Sequence, residues 1–519
     1  MQKELIQSLA ITALCAAIAG PTGAFGASDS RTDSERIARG KYLTTAGDCI
    51  SCHTAPQGKP FAGGLYMNTP FGPISTPNIT PDRQTGIGSY SDADFYRVLH
   101  NGIGKQGEYL YPVMPFPWYT KVSRDDVLAI KAYLFSLAPV RNPRPPNKMR
   151  FPFDVREGLA AWRALFFRAA AEEPNASGGA ALDRGGYLVE GLGHCGECHN
   201  GDKLVGASRF GHSLQGGEID GWYAPNLTSN VREGIGDWTT PELVQYLQTG
   251  VSATHGLALG PMAEAVHESL SHLDQSDLQA MAEYLKATPA SSGFSQAKLA
   301  DYAGRDAPGS TEYLTFCSSC HGVNGAGLSR VAPALIHNGA VLAQGPQNVI
   351  RVILGGKEAT ESYAPMIAIG LSMSDAQVAA VANYVRQSWS NAAPATAAPG
   401  LVAELRAQTQ TLLDATSVQQ CQTDTQSAAQ RWIDNPAHGI APLLSGLNED
   451  NLLERAEKIT AQVKLAKPAL KKAEAVNALT AAYCPVVQSD TTLSPSQRGQ
   501  RLGNFSEVIY TELTEHRAL

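Results

Sequence analysis

Apolar residues recur at helical spacing near the end of three stretches of the chain: Val127, Ile130 and Leu134; Leu278, Met281 and Leu285; Val378, Val381 and Val385. An apolar position every three to four residues marks a helix with one face on a core. The pattern therefore predicts closing helices over residues 125–137, 275–286 and 374–389. Two more amphipathic stretches, 92–100 and 240–249, each run into a glycine (Gly102, Gly250) that stops a helix. Residues 159–171 read as an apolar helix carrying Trp162, Phe166 and Phe167, expected to pack on neighbouring domains. Residues 391–400, rich in Ala and Pro, read as a linker, and 401–519 as helix with no run suited to a membrane span. At the N-terminus, the short apolar run 8–20 follows Lys3 and precedes Ala24-Phe25-Gly26. It reads as an export signal over residues 1–26, which would carry Cys15 away with it.

The three stretches share more than periodicity. Arg39-Gly40 with Tyr42-Leu43, and Arg184-Gly185 with Tyr187-Leu188, precede Cys49 and Cys195 at distances that agree to within one residue. They suggest an opening helix that presents Tyr and Leu inward. Downstream, Pro77-Asn78-Ile79-Thr80 matches Pro225-Asn226-Leu227-Thr228, and Gly86-Ile87-Gly88 matches Gly234-Ile235-Gly236. Tyr90 and Trp238 follow two residues later. Residues 35–140 and 180–290 thus read as one fold written twice, with 305–392 a shorter, diverged third copy. Residues 141–179 read as a proline-led linker with a helix, and 401–519 as a helical C-terminal domain of unassigned role. A length of 519 residues suits several domains, and 43% hydrophobic with 17% charged residues is globular composition. A net charge of −7 offers no basic footprint, so nucleic acid is not expected as a partner.

The chemistry lies in a run written three times: Cys49-Ile50-Ser51-Cys52-His53, Cys195-Gly196-Glu197-Cys198-His199 and Cys317-Ser318-Ser319-Cys320-His321. C-x-x-C-H is the attachment run for haem c. Two sulfurs one turn apart each bond a vinyl group, and the adjacent imidazole becomes an axial ligand. Six of the nine cysteines are used this way. A zinc site wants two pairs close in sequence, and a redox dithiol wants a βαβ context; neither is present. Three covalent haem c groups are the expectation. Cys421 and Cys484 lie outside any motif and are expected to pair as a disulfide, with two free thiols the alternative.

The second axial ligand separates a carrier from a catalyst. Met114, Met262 and Met366 stand in proline-flanked loops, 61, 63 and 45 residues after His53, His199 and His321. Each lies between a glycine stop and a closing helix, so they are the expected thioether ligands; Met373 is an alternative to Met366. His100, His194, His255 and His267 lie near these loops and are assigned nothing. Tyr90 and Trp238 suit either core packing or a propionate contact. Pro333 is placed to offer its carbonyl to the Nδ1 proton of His321, which would fix the ring. The expected fold is mainly α, with three class-I-like cytochrome c domains in series plus the helical C-terminal domain.

These residues resemble the trihaem cytochrome c subunit of bacterial membrane-associated dehydrogenases for alcohols, gluconate, sorbitol and fructose. The likeness rests on the three motifs, the Pro-Asn-(Ile/Leu)-Thr and Gly-Ile-Gly runs, the Met114-Pro115-Phe116 loop and Trp389, over about residues 35–392. It implies a periplasmic electron-transfer subunit at the outer face of the inner membrane, not itself an enzyme. Such a subunit would take electrons from a quinoprotein, flavoprotein or molybdenum-type dehydrogenase and pass them to ubiquinone or another respiratory acceptor. The rival is a peroxidase-like haem catalyst with one open coordination site.

Overall fold

The computed structural model describes residues 32–171, 180–200, 213–291, 306–419, 432–433, 435, 438–466, 470–493 and 495–515. The expected export signal over residues 1–26 lies outside them. The described residues are mainly helical, with three short antiparallel ribbons among them pairing Tyr66–Met67 with Ile74–Ser75, Gly217–Ile219 with Trp222–Ala224, and Val251–Ser252 with Gly256–Leu257. Among the described residues no helix is long and apolar enough to cross a membrane.

The same helix crossing recurs three times. Asp33–Ala46 packs on Arg124–Ser136, Ala180–Tyr187 on Gln275–Ala287, and Ser310–Phe316 on Asp375–Gln387. All nine apolar residues of the three predicted stripes are buried. Each crossing pivots on a glycine: a Cβ at Gly40, Gly185 or Gly309 would fall on the carbonyl oxygen of Ala129, Ala280 or Ala380. Backbones that approach this closely leave no room for a side chain, which is why the glycine before each motif persists in all three copies. Two of these closing helices start at capped residues, Ser123 and Ser374 accepting from the backbone N–H of Asp126 and Gln377.

The structure departs from the sequence reading in three places. Between Gly185 and Cys195 the second copy holds one residue more than the first does between Gly40 and Cys49. The extra residue is absorbed as a π-turn over Leu188–Leu192. Secondly, only the leucines of the Tyr-Leu pairs point inward. Leu43 and Leu188 are buried, while Tyr42 and Tyr187 face the other copy, as neighbours 100° apart on a helix must diverge. Thirdly, the linker helix spans Leu159–Phe166 only. Phe167 turns extended to stack edge-on against Phe116, and the Ala170 N–H donates to Thr120 Oγ1 at 2.9 Å.

Those outward tyrosines build a reciprocal junction. Asp126 accepts from Arg39 of its own copy at 2.6 Å and from the Tyr187 hydroxyl of the other at 2.7 Å. Asp277 accepts from Arg184 at 2.9 and 2.6 Å and from the Tyr42 hydroxyl at 2.7 Å. The arrangement is that of a two-fold interface, written within one chain. Behind it, Tyr119 and Val122 of the first copy and Leu188, Val189 and Leu192 of the second belong to one continuous hydrophobic core. The third copy has a separate core, to which the helix Pro399–Gln419 lends Val402 and Leu405. The fully buried Arg386 closes that copy by donating to the carbonyls of Val341, Gln344, Gly345 and Pro394. The C-terminal helices Leu452–Ala466, Lys472–Ser489 and Pro495–Glu515 surround a third core of Ile459, Leu479, Tyr483, Phe505 and Ile509. Cys484, within it, is disulfide-bonded; Cys421 lies outside the described residues.

Gly185→Leu forces side-chain atoms into the Ala280 carbonyl. The expected cost is about 2–3 kcal/mol, read as a lower denaturant midpoint with unchanged slope; an unchanged midpoint would contradict the close crossing.

Candidate haem-binding sites

Each C-x-x-C-H run forms a short helical turn directly after an opening helix. The three histidines are buried, and each aims Nδ1 at a proline carbonyl: His53 at Pro77 (2.8 Å), His199 at Pro225 (2.7 Å) and His321 at Pro333 (3.1 Å). Burial holds all three imidazoles below their ordinary pKa, against the pull of the carbonyl. A neutral ring with its proton on Nδ1 presents the Nε2 lone pair on the opposite side. That is the tautomer an iron needs.

A glycine locks each pair. The N–H groups of Gly63, Gly216 and Gly327 donate to the carbonyls of His53, His199 and His321 at 2.7, 2.8 and 2.9 Å. All three glycines have positive φ (69°, 88° and 74°) and lie against the same prolines. Two residues beyond each proline the chain binds back, from Ile79 to Phe61, Leu227 to Leu214 and Leu335 to Gly325. This histidine–glycine–proline clamp was invisible in the sequence apart from Pro333, because the loops between its members differ in length and its bonds are to backbone. The repeated Pro-Asn-(Ile/Leu)-Thr run now has a cause. Asn78 and Asn226 accept from the N–H of Thr80 and Thr228 at 2.9 and 2.7 Å, and reach Val140 and Ser291 beyond the closing helix. The paired Gly-Ile-Gly runs fold under this turn, Ile87 and Ile235 donating to the carbonyls of Thr80 and Thr228.

The methionines fall at one point of the repeat. Gly102, Gly250 and Gly356, all with positive φ, stop the helices Asp92–Asn101, Thr240–Thr249 and Gln347–Gly355, and the segments that follow carry Met114, Met262 and Met366. Met262 stands in the first turn of the helix Pro261–Glu268 rather than in a loop, because Pro261 starts that helix. All three are half-buried. In the second copy Cys195, Cys198, His199, Pro225, Trp238 and Met262 line one cavity. In the first, Met114 and Cys49 pack on the same core. In the third, the Ala364 N–H donates to the Val331 carbonyl at 3.1 Å, tying the Met366 loop to the segment that follows the motif. Met373 is buried in the core beside Ile350 and Leu354, the role of ordinary filler, which leaves Met366 as the candidate. Among the unassigned histidines, His255 stacks on Trp238 at 4.2 Å and His194 lies edge-on to Tyr119.

The first two motifs face each other. Trp118, four residues after Met114, is buried against Gly196 inside the second motif and donates Nε1–H to Glu197 Oε2 at 2.8 Å. In return the helix Pro261–Glu268, which carries Met262, packs on the turn Cys49–His53. Burial pushes the thiols of Cys49, Cys52, Cys195, Cys198 and Cys317 up to about 12. A redox dithiol needs the opposite, a thiol made more acidic. Two sulfurs and a neutral imidazole of fixed tautomer, with a methionine at the same point of each repeat, are a donor set that fits haem c.

Residues 307–389 match the cytochrome c family. The chain is 39% identical over 402 residues to the gluconate 2-dehydrogenase cytochrome c subunit of Pantoea cypripedii, covering 73% of this chain and 91% of that one. It is 36% identical over 417 residues to the cytochrome c subunit of alcohol dehydrogenase (quinone) of Gluconobacter oxydans, covering 76% and 87%. With the fructose dehydrogenase cytochrome subunit of Gluconobacter japonicus it shares 34% identity over 404 residues, 72% of this chain and 82% of that one.

Gly216→Val places a β-branched residue at φ 88° beside the Ala224 carbonyl and breaks the bond to His199. Strain of about 1–3 kcal/mol is expected. The purified variant should carry one covalent haem fewer per chain by pyridine haemochrome assay; a full complement would contradict the clamp.

Proposed function

The chain belongs to the family of cytochrome c subunits of dehydrogenase complexes, and from that premise we propose that it is a trihaem electron-transfer subunit. It accepts electrons from a periplasmic dehydrogenase and passes them to ubiquinone or another respiratory acceptor, at the outer face of the inner membrane. The observation that carries the reading is the threefold recurrence of one clamp, histidine to proline carbonyl and glycine to histidine carbonyl, each with a methionine loop at the same place in the repeat.

Haem c, when bound, supplies a one-electron couple. The chain's residues do the rest. Cys49, Cys52, Cys195, Cys198, Cys317 and Cys320 would anchor three such groups. His53, His199 and His321 would hold one axial side, and Met114, Met262 and Met366 the other. With both sides filled no position is left for peroxide or oxygen, which disfavours the peroxidase-like reading. The reciprocal junction of Asp126 with Tyr187 and Asp277 with Tyr42 keeps the first two motifs face to face, and Trp118 reaches from the first copy onto the second motif. The third motif lies in a separate core, among exposed Leu314, Phe316 and Val323, which suits exchange with an outside partner. The partner's identity follows from similarity alone: quinoprotein, flavoprotein and molybdenum dehydrogenases are all compatible.

Mixed with its dehydrogenase and that enzyme's substrate, the holoprotein should be reduced at all three haems and reoxidised by a soluble ubiquinone analogue. Reduction by substrate with no dehydrogenase present, or turnover of peroxide at a rate matching a haem peroxidase, would overturn the proposal.

A further inference from the structure

We propose that the C-terminal helical unit is a clamp that holds the Met366 loop in place on the third haem site. The proposal rests on the reading of Met366 as an axial ligand, and adds a role for the helices beyond the third copy.

The loop begins and ends on a backbone bridge, Lys357 and Met366 each donating N–H to the other's carbonyl at 2.8 Å. Between these residues it is tied to the C-terminal unit at several points. Ala359 and Ala364 are part of that unit's hydrophobic core, Ala359 being 5% exposed. Glu361 Oε1 accepts from the Ala473 N–H at 2.9 Å, satisfying a free donor in the first turn of the helix Lys472–Ser489. Asn477, on the same helix, donates Nδ2–H to the Ala359 carbonyl at 3.4 Å.

On the other side stands the helix Pro495–Glu515. A Cβ at Gly503 would fall on the side chain of Ile367, the residue next to Met366, and one at Gly499 would lie 3.4 Å from Leu371 Cδ1. Phe505 and Ile509 belong to the C-terminal core, so the helix has one face for its own unit and a glycine face for the loop.

The other two methionine loops have comparable supports from outside. Phe116, two residues after Met114, is covered by Trp162, Arg163 and Phe167 of the linker helix region. Met262 starts a helix that packs on the first motif. In the third copy the C-terminal unit supplies this support to the methionine loop. A neutral thioether on a free loop can swing away from a metal; one on a loop fixed at both flanks has no such alternative to populate.

Gly503→Leu, made in the full-length holoprotein, drives a side chain into Ile367. One of the three haems should lose its sulfur-to-iron charge-transfer absorption and bind carbon monoxide roughly tenfold faster, with one of three reduction potentials shifted. The double variant Gly503→Leu/Ile367→Ala restores the space and should return all three signals, a recovery that general destabilisation would not give. Should Gly503→Leu not fold, Glu361→Ala/Asn477→Ala, which removes the acceptor for the Ala473 N–H and the donor to the Ala359 carbonyl, carries the same expectation. Folded variants of both kinds with three unaltered haem spectra and potentials would overturn the clamp. Met366→Ala separates the two readings: if it leaves all three spectra unchanged, the ligand assignment is what has failed.

Discussion

A hydrogen bond from an imidazole nitrogen to a proline carbonyl governs the rest of this molecule. It fixes which ring nitrogen holds the proton, and so which one is left to bind. A carbonyl can be aimed that well only if its loop is rigid. That requirement explains the glycines with positive φ at 63, 216 and 327, and the Asn–Thr turns pinned beyond the closing helices in the first two copies. It also explains why the opening helix must sit on the closing helix at a glycine, because that crossing sets where each motif turn begins.

The second organising feature is that two copies were joined rather than strung together. Their shared core and the paired Asp–Tyr and Asp–Arg contacts make the first two motifs a fixed unit. For electron transfer a constant separation matters more than contact strength, and a continuous core supplies it where a flexible linker would not. The third copy is tied in differently. Its contacts with the second include hydrogen bonds of Asn348 with Tyr223, Arg351 with Asp220 and Gly221, and Gln347 with Glu218, and it keeps its own core.

Much of this was legible in the sequence. The C-x-x-C-H runs are short and local, and helical periodicity located all three closing helices to within two residues. The methionines were singled out because they stand beside prolines at one shared point of the repeat, 61, 63 and 45 residues after the motif histidines. What escaped has a common physical cause. The clamp works through backbone groups, which carry no residue signature, and across loops of unequal length. The Tyr42–Asp277 and Tyr187–Asp126 contacts join residues far apart in the chain, so reading each copy as a self-contained domain turned both tyrosines inward. The role of Gly503 is a matter of what touches it, which no pattern along the chain records.

The central claim is that three sites each grip one haem between a histidine and a methionine. The most direct test is to count thioether-bound haem in the purified protein and expose the reduced form to carbon monoxide. The account predicts three haems per chain and slow, incomplete binding at every one. Fewer than three haems, or rapid binding at all of them, would contradict it.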